Sequence, residues 1–443
     1  MKTSVNAFEG KERGRLFGLV CLFCAITVCL FLWNPPLRPE VPFLTYALFF
    51  IGLRLLARFH HKRHPEQLSF LPPETWPKVS LVIPAHNEEV VIERTLKVLM
   101  DLDYPNYELL VVDDRSTDET ANILRKLQIE FGSQFKYYSR SPSNRPGKAA
   151  VLNEALEHLS GDILCILDAD ASVEPDFLKR LVPFFSEPSV GAVQARKTLF
   201  NSKQNWLTLC QQYEYCMDAY FQTRRDRIYG AVELRGNGML IRRETLENLG
   251  GWNEASLTED LDFTTRMHMT GWDIRYVSSV PVYEEALLFL SPLIRQRIRW
   301  TEGSLIRYLE NVEDVIFNPQ VAFRTKLDLL QFVFEFMAPL WLLSENLLMV
   351  INWLNGALPS APVLYSASAL LVLTFYFIWA LYQGISKFSH LSLFETAKGI
   401  VATYFYLSLL WLFIVFFLLG RILFQKKRNL KWHKTERCGM VLK

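Results

Sequence analysis

An excess of charge of one sign is missing from this chain: 48 Lys and Arg stand against 46 Asp and Glu, a balance of +2 over 443 residues. A whole-chain attraction for nucleic acid or an acidic polymer is therefore excluded, and no nucleic-acid partner is expected. Cysteine is scarce and odd in number: seven, with Cys21, Cys24 and Cys29 in one apolar run and Cys165, Cys210, Cys216 and Cys438 scattered. That pattern excludes a disulfide framework and suits a reducing compartment. Cys21 and Cys24 form a C-x-x-C with no second pair, among Leu, Val and Phe, so a membrane helix is expected there rather than a zinc or redox site. Internal repeats and low-complexity segments are absent. No small-x-small cleavage site follows the apolar run Leu16 to Trp33, which argues against a secretory signal peptide.

What the chain has in quantity is apolar side chains, 50% of residues, alongside 21% charged. This mixture is too apolar for disorder and too charged for a protein that is all membrane. Leu16 to Trp33 and Val41 to Ala57 are each near the length that crosses hydrocarbon, and Asn34-Pro-Pro-Leu-Arg-Pro-Glu40 between them reads as a turn. Residues 1–75 are thus expected to form a retained transmembrane helix pair. Lys2, Lys11, Arg13 and Arg15 flank it on one side and Arg54, Arg58, Lys62 and Arg63 on the other, which places both ends and the next domain in the cytoplasm.

Residues 76–325 have the composition of a soluble α/β domain. Val79 to Ile83, Leu109 to Val112 and Ile163 to Leu167 are short apolar runs, each followed by polar sequence that starts a helix. The alternation predicts a mostly parallel sheet with helices on both faces, whose chemistry sits at the carboxyl ends of the strands. Residues 326–443 return to apolar runs at Leu327 to Trp353, Val363 to Tyr382 and Ile400 to Leu423, ending in a basic tail. Three crossings would leave that tail outside, against the positive-inside rule, so the first run, with Asp328, Glu335, Pro339 and Glu345, is expected to lie in the interface or re-enter.

Asp168-Ala-Asp170 directly after a buried strand is the strongest local signal. Two carboxylates at i and i+2 can share a hard divalent cation, Mg²⁺ or Mn²⁺, which a departing diphosphate needs. Alone, such a pair more often caps a helix or faces solvent; its neighbours decide. Asp113 and Asp114 end a strand, where one of them stands ready for a ribose or base edge, and Ser116 and Asp118 are expected to cap the helix that follows. Arg145-Pro-Gly-Lys148 aims a lysine at a helix start. Pro84-Ala-His-Asn-Glu88 forms a loop able to hold a planar base. Thr258-Glu259-Asp260 begins a helix, where a carboxylate is placed to accept a hydroxyl proton as general base, although acidic first turns are common in any helix. Gln296, Arg299 and Trp300 fall at i, i+3 and i+4, one helical face offering an amide, a guanidinium and an indole to a sugar diphosphate; an amphipathic surface helix reads the same way.

Together these motifs, in this order and between membrane helices, resemble the membrane-embedded family 2 glycosyltransferases, among them the cellulose, hyaluronan and poly-N-acetylglucosamine synthases. The resemblance spans Val79 to Leu309. It implies an α/β fold with a GT-A type nucleotide-sugar-binding domain inserted between transmembrane helices, a UDP-sugar donor, and inversion to a β-linkage. It further implies that Glu88, Asp113 or Asp114, and Lys148 contact the nucleotide. Asp168 would touch the nucleotide and Asp170 the metal, with Asp260 as the base. Glu259, Gln296, Arg299 and Trp300 would serve the diphosphate and acceptor. Trp432-His-Lys-Thr-Glu-Arg437 is similar to a segment that covers the active site in several members.

Glu233 to Arg243, Gly250 to Glu254 and Gln296 to Leu309 are more similar to the cyanobacterial β-monoglucosyldiacylglycerol synthases, although Glu259 stands where that group has aspartate. This narrower resemblance implies transfer of glucose from UDP-glucose to diacylglycerol in the bilayer by a multi-pass membrane enzyme. A processive polysaccharide synthase shares the catalytic motifs and differs in needing helices that enclose a polymer. A non-catalytic sugar-nucleotide sensor predicts a broken motif, and Asp168, Asp170, Asp260 and Arg299 are all present.

Overall fold

The computed structural model describes residues 75–141, 143–329, 361–389 and 391–424, together with 15, 18, 336, 350, 353–356 and 439. The expected N-terminal helix pair (Gly18 apart), most of the run from Leu327 to Trp353, and the segment Trp432 to Arg437 lie outside the described residues.

The α/β region begins β1 (Val79–Ala85), α1 (Ile92–Met100), β2 (Tyr107–Asp113), α2 (Thr120–Phe131), β3 (Phe135–Ser139), α3 (Lys148–Ala155) and β4 (Ile163–Ile166). It continues with β5 (Ser172–Val173), α4 (Phe177–Leu181), β6 (Val190–Leu199), α5 (Trp206–Arg227), β7 (Met239–Arg242), α6 (Arg243–Asn248), α7 (Glu259–Met269), β8 (Asp273–Glu284) and α8 (Leu290–Phe317). Two long helices follow, α9 (Ala361–Phe388) and α10 (Leu393–Phe424).

Period-two alternation divides the core. Leu81, Ile83, Leu109 and Val111 face one layer, with Leu96 of α1, Leu124 of α2 and Phe177 of α4. Val82, Leu110 and Val112 face the other, with Leu152 of α3 and Phe263 of α7. Successive side chains of a strand point to opposite faces, so an unbroken apolar run means that both faces are covered.

The eight strands form one sheet in the order β3-β2-β1-β4-β7-β6-β8-β5. Strands β1 with β2, β1 with β4, β2 with β3, and β6 with β8 run parallel. The sheet is mostly parallel, as expected, and its antiparallel members are β7, which lies antiparallel to both β4 and β6, and β5, antiparallel to β8. Only four residues long, β7 is entered through Gly236 and Gly238, both at positive φ. A Cβ on Gly238 would lie 2.6 Å from Val282 Cγ1, so the turn into β7 needs glycine for conformation and for space.

Helix α5 is the platform for α9 and α10. Its start carries a reciprocal cap: Asn205 Oδ1 accepts the Thr208 N–H at 2.9 Å and Thr208 Oγ1 accepts the Asn205 N–H at 3.1 Å. At Gly384 of α9 a Cβ would stand 2.5 Å from the Cys216 carbonyl oxygen, so glycine sets how closely the two helices approach. Both α9 and α10 start earlier than the apolar runs that announced them. The first turn of α10 is capped by Ser392, whose Oγ accepts the Glu395 N–H at 3.3 Å while its own N–H donates to Glu395 Oε2 at 3.0 Å. The inner face of α10, with Tyr406, Leu410, Ile414 and Leu418, packs on Leu207 of α5 and Leu305 and Leu309 of α8. Val401, Phe405, Leu409, Phe413 and Phe417, four residues apart, are exposed. Among the described residues α10 is the one helix long and apolar enough to cross a membrane.

Candidate active site

The carboxyl ends of β1, β2 and β4 converge with the start of α7. After β4 the chain turns at Asp168, whose carbonyl accepts the Ala171 N–H at 2.9 Å. The Asp168 N–H donates to Asn237 Oδ1 at 3.1 Å, and its Oδ1 accepts from Lys148 Nζ at 2.6 Å. Asp170 is buried, with Oδ2 accepting the Glu285 N–H at 3.0 Å. Lys148 opens α3 behind Gly147, which takes a φ of 122°. Its ammonium also donates to the Gly236 carbonyl at 3.0 Å and lies 3.5 Å from Glu259. Burial alone would lower its pKa, but Asp168, Glu259 and Asp260 outweigh that and hold it above the ordinary lysine value.

Asp260 is the second residue of α7. Burial, reinforced by the neighbouring Glu259, pushes its carboxyl pKa up to about 6, against the opposing pull of Lys148, the Leu261 N–H and Arg235. The Leu261 N–H donates to its Oδ1 at 2.8 Å. At neutral pH the group is ionised and more basic than an ordinary aspartate, the combination a general base requires. The chain passes Asp260 at Gly236, where φ is 74° and a Cβ would sit 3.1 Å from Oδ2. Below this loop Glu233 accepts from Arg225 at 3.1 Å, Arg235 at 2.9 Å and Arg307 at 2.9 Å. The three guanidiniums overcome the cost of burial and hold its carboxyl far below the usual range.

Asp113 and Asp114 are both buried and differ in what they hold. Asp114 Oδ1 accepts from Arg140 Nη1 and Arg115 Nε, both at 2.8 Å, and Oδ2 takes the Gly147 N–H at 3.4 Å, tying the end of β2 to the start of α3. Asp113 Oδ1 takes the Ser116 N–H at 3.1 Å and shapes its own turn. Ser116 does not cap α2 as expected: its hydroxyl accepts the Asn87 N–H at 2.8 Å, because the β1 loop lies against this turn. Asp118 accepts the N–H of Thr120, the first residue of α2, at 3.0 Å. Glu88 is half-buried in the β1 loop, its N–H donating to Thr120 Oγ1 at 2.7 Å.

On α8, Gln296 and Trp300 come together through a residue the sequence pattern passes over. Arg297 is buried, donates to Gln296 Oε1 at 2.6 Å and to Glu214 Oε2 at 2.9 Å, and lies 4.3 Å from the centroid of the Trp300 ring. Tyr406 of α10 donates to the same Glu214 oxygen at 3.0 Å. Arg299 is half-buried on the same turn. The i, i+3, i+4 reading omits Arg297 because its partners come from α5 and α10, elements distant in sequence. Asn237, Glu284 and Lys197 escape the sequence pattern for the same reason; their local signals are a Gly-Asn-Gly and a Glu-Glu at the close of β8.

Asp168 and Asp170 are hard oxygen donors on one turn. Among the described residues no three His, Cys, Asp or Glu side chains converge. Two carboxylates leave the other coordination positions to substrate oxygens and water, the way Mg²⁺ is commonly held, so the donor set fits such an ion.

Residues 77–303 match the family described as "Glycosyltransferase like family 2". A β-monoglucosyldiacylglycerol synthase of Synechocystis is 34% identical over 446 residues, covering 97% of this chain and 89% of that protein. One from Trichormus variabilis is 36% identical, covering 82% and 77% respectively. Among solved structures, a mannosyltransferase from Pyrobaculum calidifontis in complex with GDP-Man and Mn²⁺ aligns with a TM-score of 0.58 at 23% identity, over 82% of this chain and 97% of that one. That likeness establishes a GT-A fold.

Proposed function

The chain belongs to glycosyltransferase-like family 2, and on that premise we propose that it transfers glucose from UDP-glucose to 1,2-diacylglycerol with inversion, yielding β-monoglucosyldiacylglycerol. The observation that carries the reading is Asp260, a carboxylate with a pKa near 6 at a helix start, beside the Lys148 ammonium that also holds Asp168. Asp260 accepts the proton of the acceptor hydroxyl as that oxygen bonds to the anomeric carbon. The bond from that carbon to the diphosphate breaks, and UDP departs with the electron pair.

Asp168 and Asp170 would hold Mg²⁺ or Mn²⁺, whose contribution is charge neutralisation on the diphosphate. Glu88 and the Asp113–Asp114 corner line the nucleoside side. Of this pair Asp114 braces the pocket wall through Arg140 and Gly147. Gln296 and Arg299 serve the diphosphate and Trp300 offers the acceptor a flat apolar face. The exposed apolar stripe of α10 supports a membrane location, and the basic residues around the first apolar runs support a catalytic domain facing the cytoplasm. A lipid acceptor is preferred over a growing polysaccharide because the synthases that match over most of this chain bear a glycolipid name.

The test is incubation of the detergent-purified chain with Mg²⁺, radiolabelled UDP-glucose and diacylglycerol, followed by thin-layer separation. Label migrating as a monohexosyl lipid, only when diacylglycerol is added, is the expected result. Label that stays at the origin as polymer overturns the reading.

A further inference from the structure

Strand β8 ends at Glu284, and this residue and Glu285 just after it reach both halves of the site. Glu285 contributes its backbone N–H to Asp170. Glu284 is buried, and Tyr215, Asn237 and Lys197 are among the partners of its side chain: Tyr215 Oη donates to Oε1, while Asn237 Nδ2 at 3.1 Å and Lys197 Nζ at 3.0 Å share Oε2. Asn237, itself fully buried, uses its other amide atom to accept the Asp168 N–H. The Lys197 ammonium stands 5.2 Å from the centroids of both the Trp300 and the Tyr215 rings.

An ionised carboxylate only accepts hydrogen bonds, so Glu284 dictates which end of the Asn237 amide faces it. With Nδ2 turned to Glu284, Oδ1 is left facing the Asp168 N–H. The same charge retains Lys197 against the electron-rich face of the Trp300 indole. We infer that Glu284 is a positioning residue that sets the donor-side Asp168 turn through Asn237 and the acceptor-side Trp300 ring through Lys197, coupling the two subsites of the transfer. This rests on the proposed reading, in which Asp168 belongs to the nucleotide sugar and Trp300 to the acceptor. A glutamine at 284 keeps the shape but offers a donor as well as an acceptor, which frees the Asn237 amide to flip and leaves Lys197 without its counter-charge.

The experiment compares the full-length wild type, N237A, K197M and E284Q in detergent, measuring the Kd for UDP by calorimetry with Mn²⁺ present and the KM for diacylglycerol in the glucosyl-transfer assay. N237A is expected to raise the UDP Kd and K197M the acceptor KM. E284Q is expected to raise both, each by roughly tenfold, the scale of one lost buried hydrogen bond to a charged group. Y215F removes one bond and keeps the charge, so it shifts both quantities in the same direction by less; if E284Q fails to fold, Y215F decides. A folded E284Q, or Y215F in its place, that moves only one quantity or neither overturns the inference. A wild type that binds UDP and labels no lipid overturns the acceptor reading instead. The UDP arm then still decides, because an E284Q affinity equal to wild type removes the link from Glu284 to Asp168.

Discussion

The Lys148 ammonium lies 3.5 Å from the Glu259 carboxylate, so the residue that starts α3 neutralises the residue that starts α7. The same ammonium holds Asp168 at 2.6 Å, and Asp260 is the next residue along from Glu259. One buried cation therefore stands among three carboxylates, and the basicity of the proposed base depends on it.

The pH profile tests the base directly. With Asp260 pushed up to about 6, kcat/KM for transfer is expected to rise with pH and reach half its plateau near that value. Asp260→Asn is expected to lower turnover by roughly 10²-fold or more and leave UDP affinity intact. Its melting temperature should not fall. A carboxyl whose pKa is raised on folding stabilises the fold in its protonated form, and that contribution is lost as pH rises through about 6. At pH 7.5 the charged Asp260 opposes folding, and a neutral amide removes that opposition. A marked loss of thermal stability at pH 7.5 contradicts this assignment.

Lys148→Met removes the nearby cation that lowers the Asp260 pKa. The acid limb of the profile is therefore expected to move to higher pH than in the wild type. An unmoved limb with reduced amplitude would show that Lys148 acts on the substrate and not on the base.

Asp170→Asn keeps an oxygen for the Glu285 N–H and loses the charge. The Mn²⁺ concentration giving half-maximal activity should rise about tenfold or more, while the melting temperature without metal stays near wild type. A metal titration superimposable on the wild type would take Asp170 out of the ion's coordination.

Arg297→Met leaves Glu214 partly buried without its counter-charge, and removing one partner from a buried pair costs about 3–5 kcal/mol. Tyr406→Phe removes one hydrogen bond to the same carboxylate, about 1 kcal/mol. Thermal unfolding in detergent should rank them in that order, both below wild type. Wild-type stability of Tyr406→Phe would mean that α10 does not dock through Glu214.

The carboxyl-end loops are legible because each is announced locally by a buried apolar run that stops, then Asp168-Ala-Asp170 or Asp113-Asp114, whereas Thr258-Glu259-Asp260 is announced as an acidic helix start. Strand β7 is not legible, since four residues between Gly238 and the start of α6 carry no periodicity of their own and their direction is set by the neighbours they fill in between. Ser116 has the local pattern of a helix cap, whereas its hydroxyl serves the β1 loop through Asn87.

By itself the sequence determined which residues carry charge and where strands and helices alternate, because backbone propensity and apolar periodicity act over a few residues. It also determined the ordered motifs by which the family is known. Tertiary structure alone decided that Asp260 titrates near 6, that Arg297 rather than its neighbours links Gln296 to Trp300, and that Glu284 meets both Asn237 and Lys197. A pKa and a hydrogen-bond partner depend on burial and on groups brought close by folding, and Lys148 is 112 positions from Asp260 in the chain.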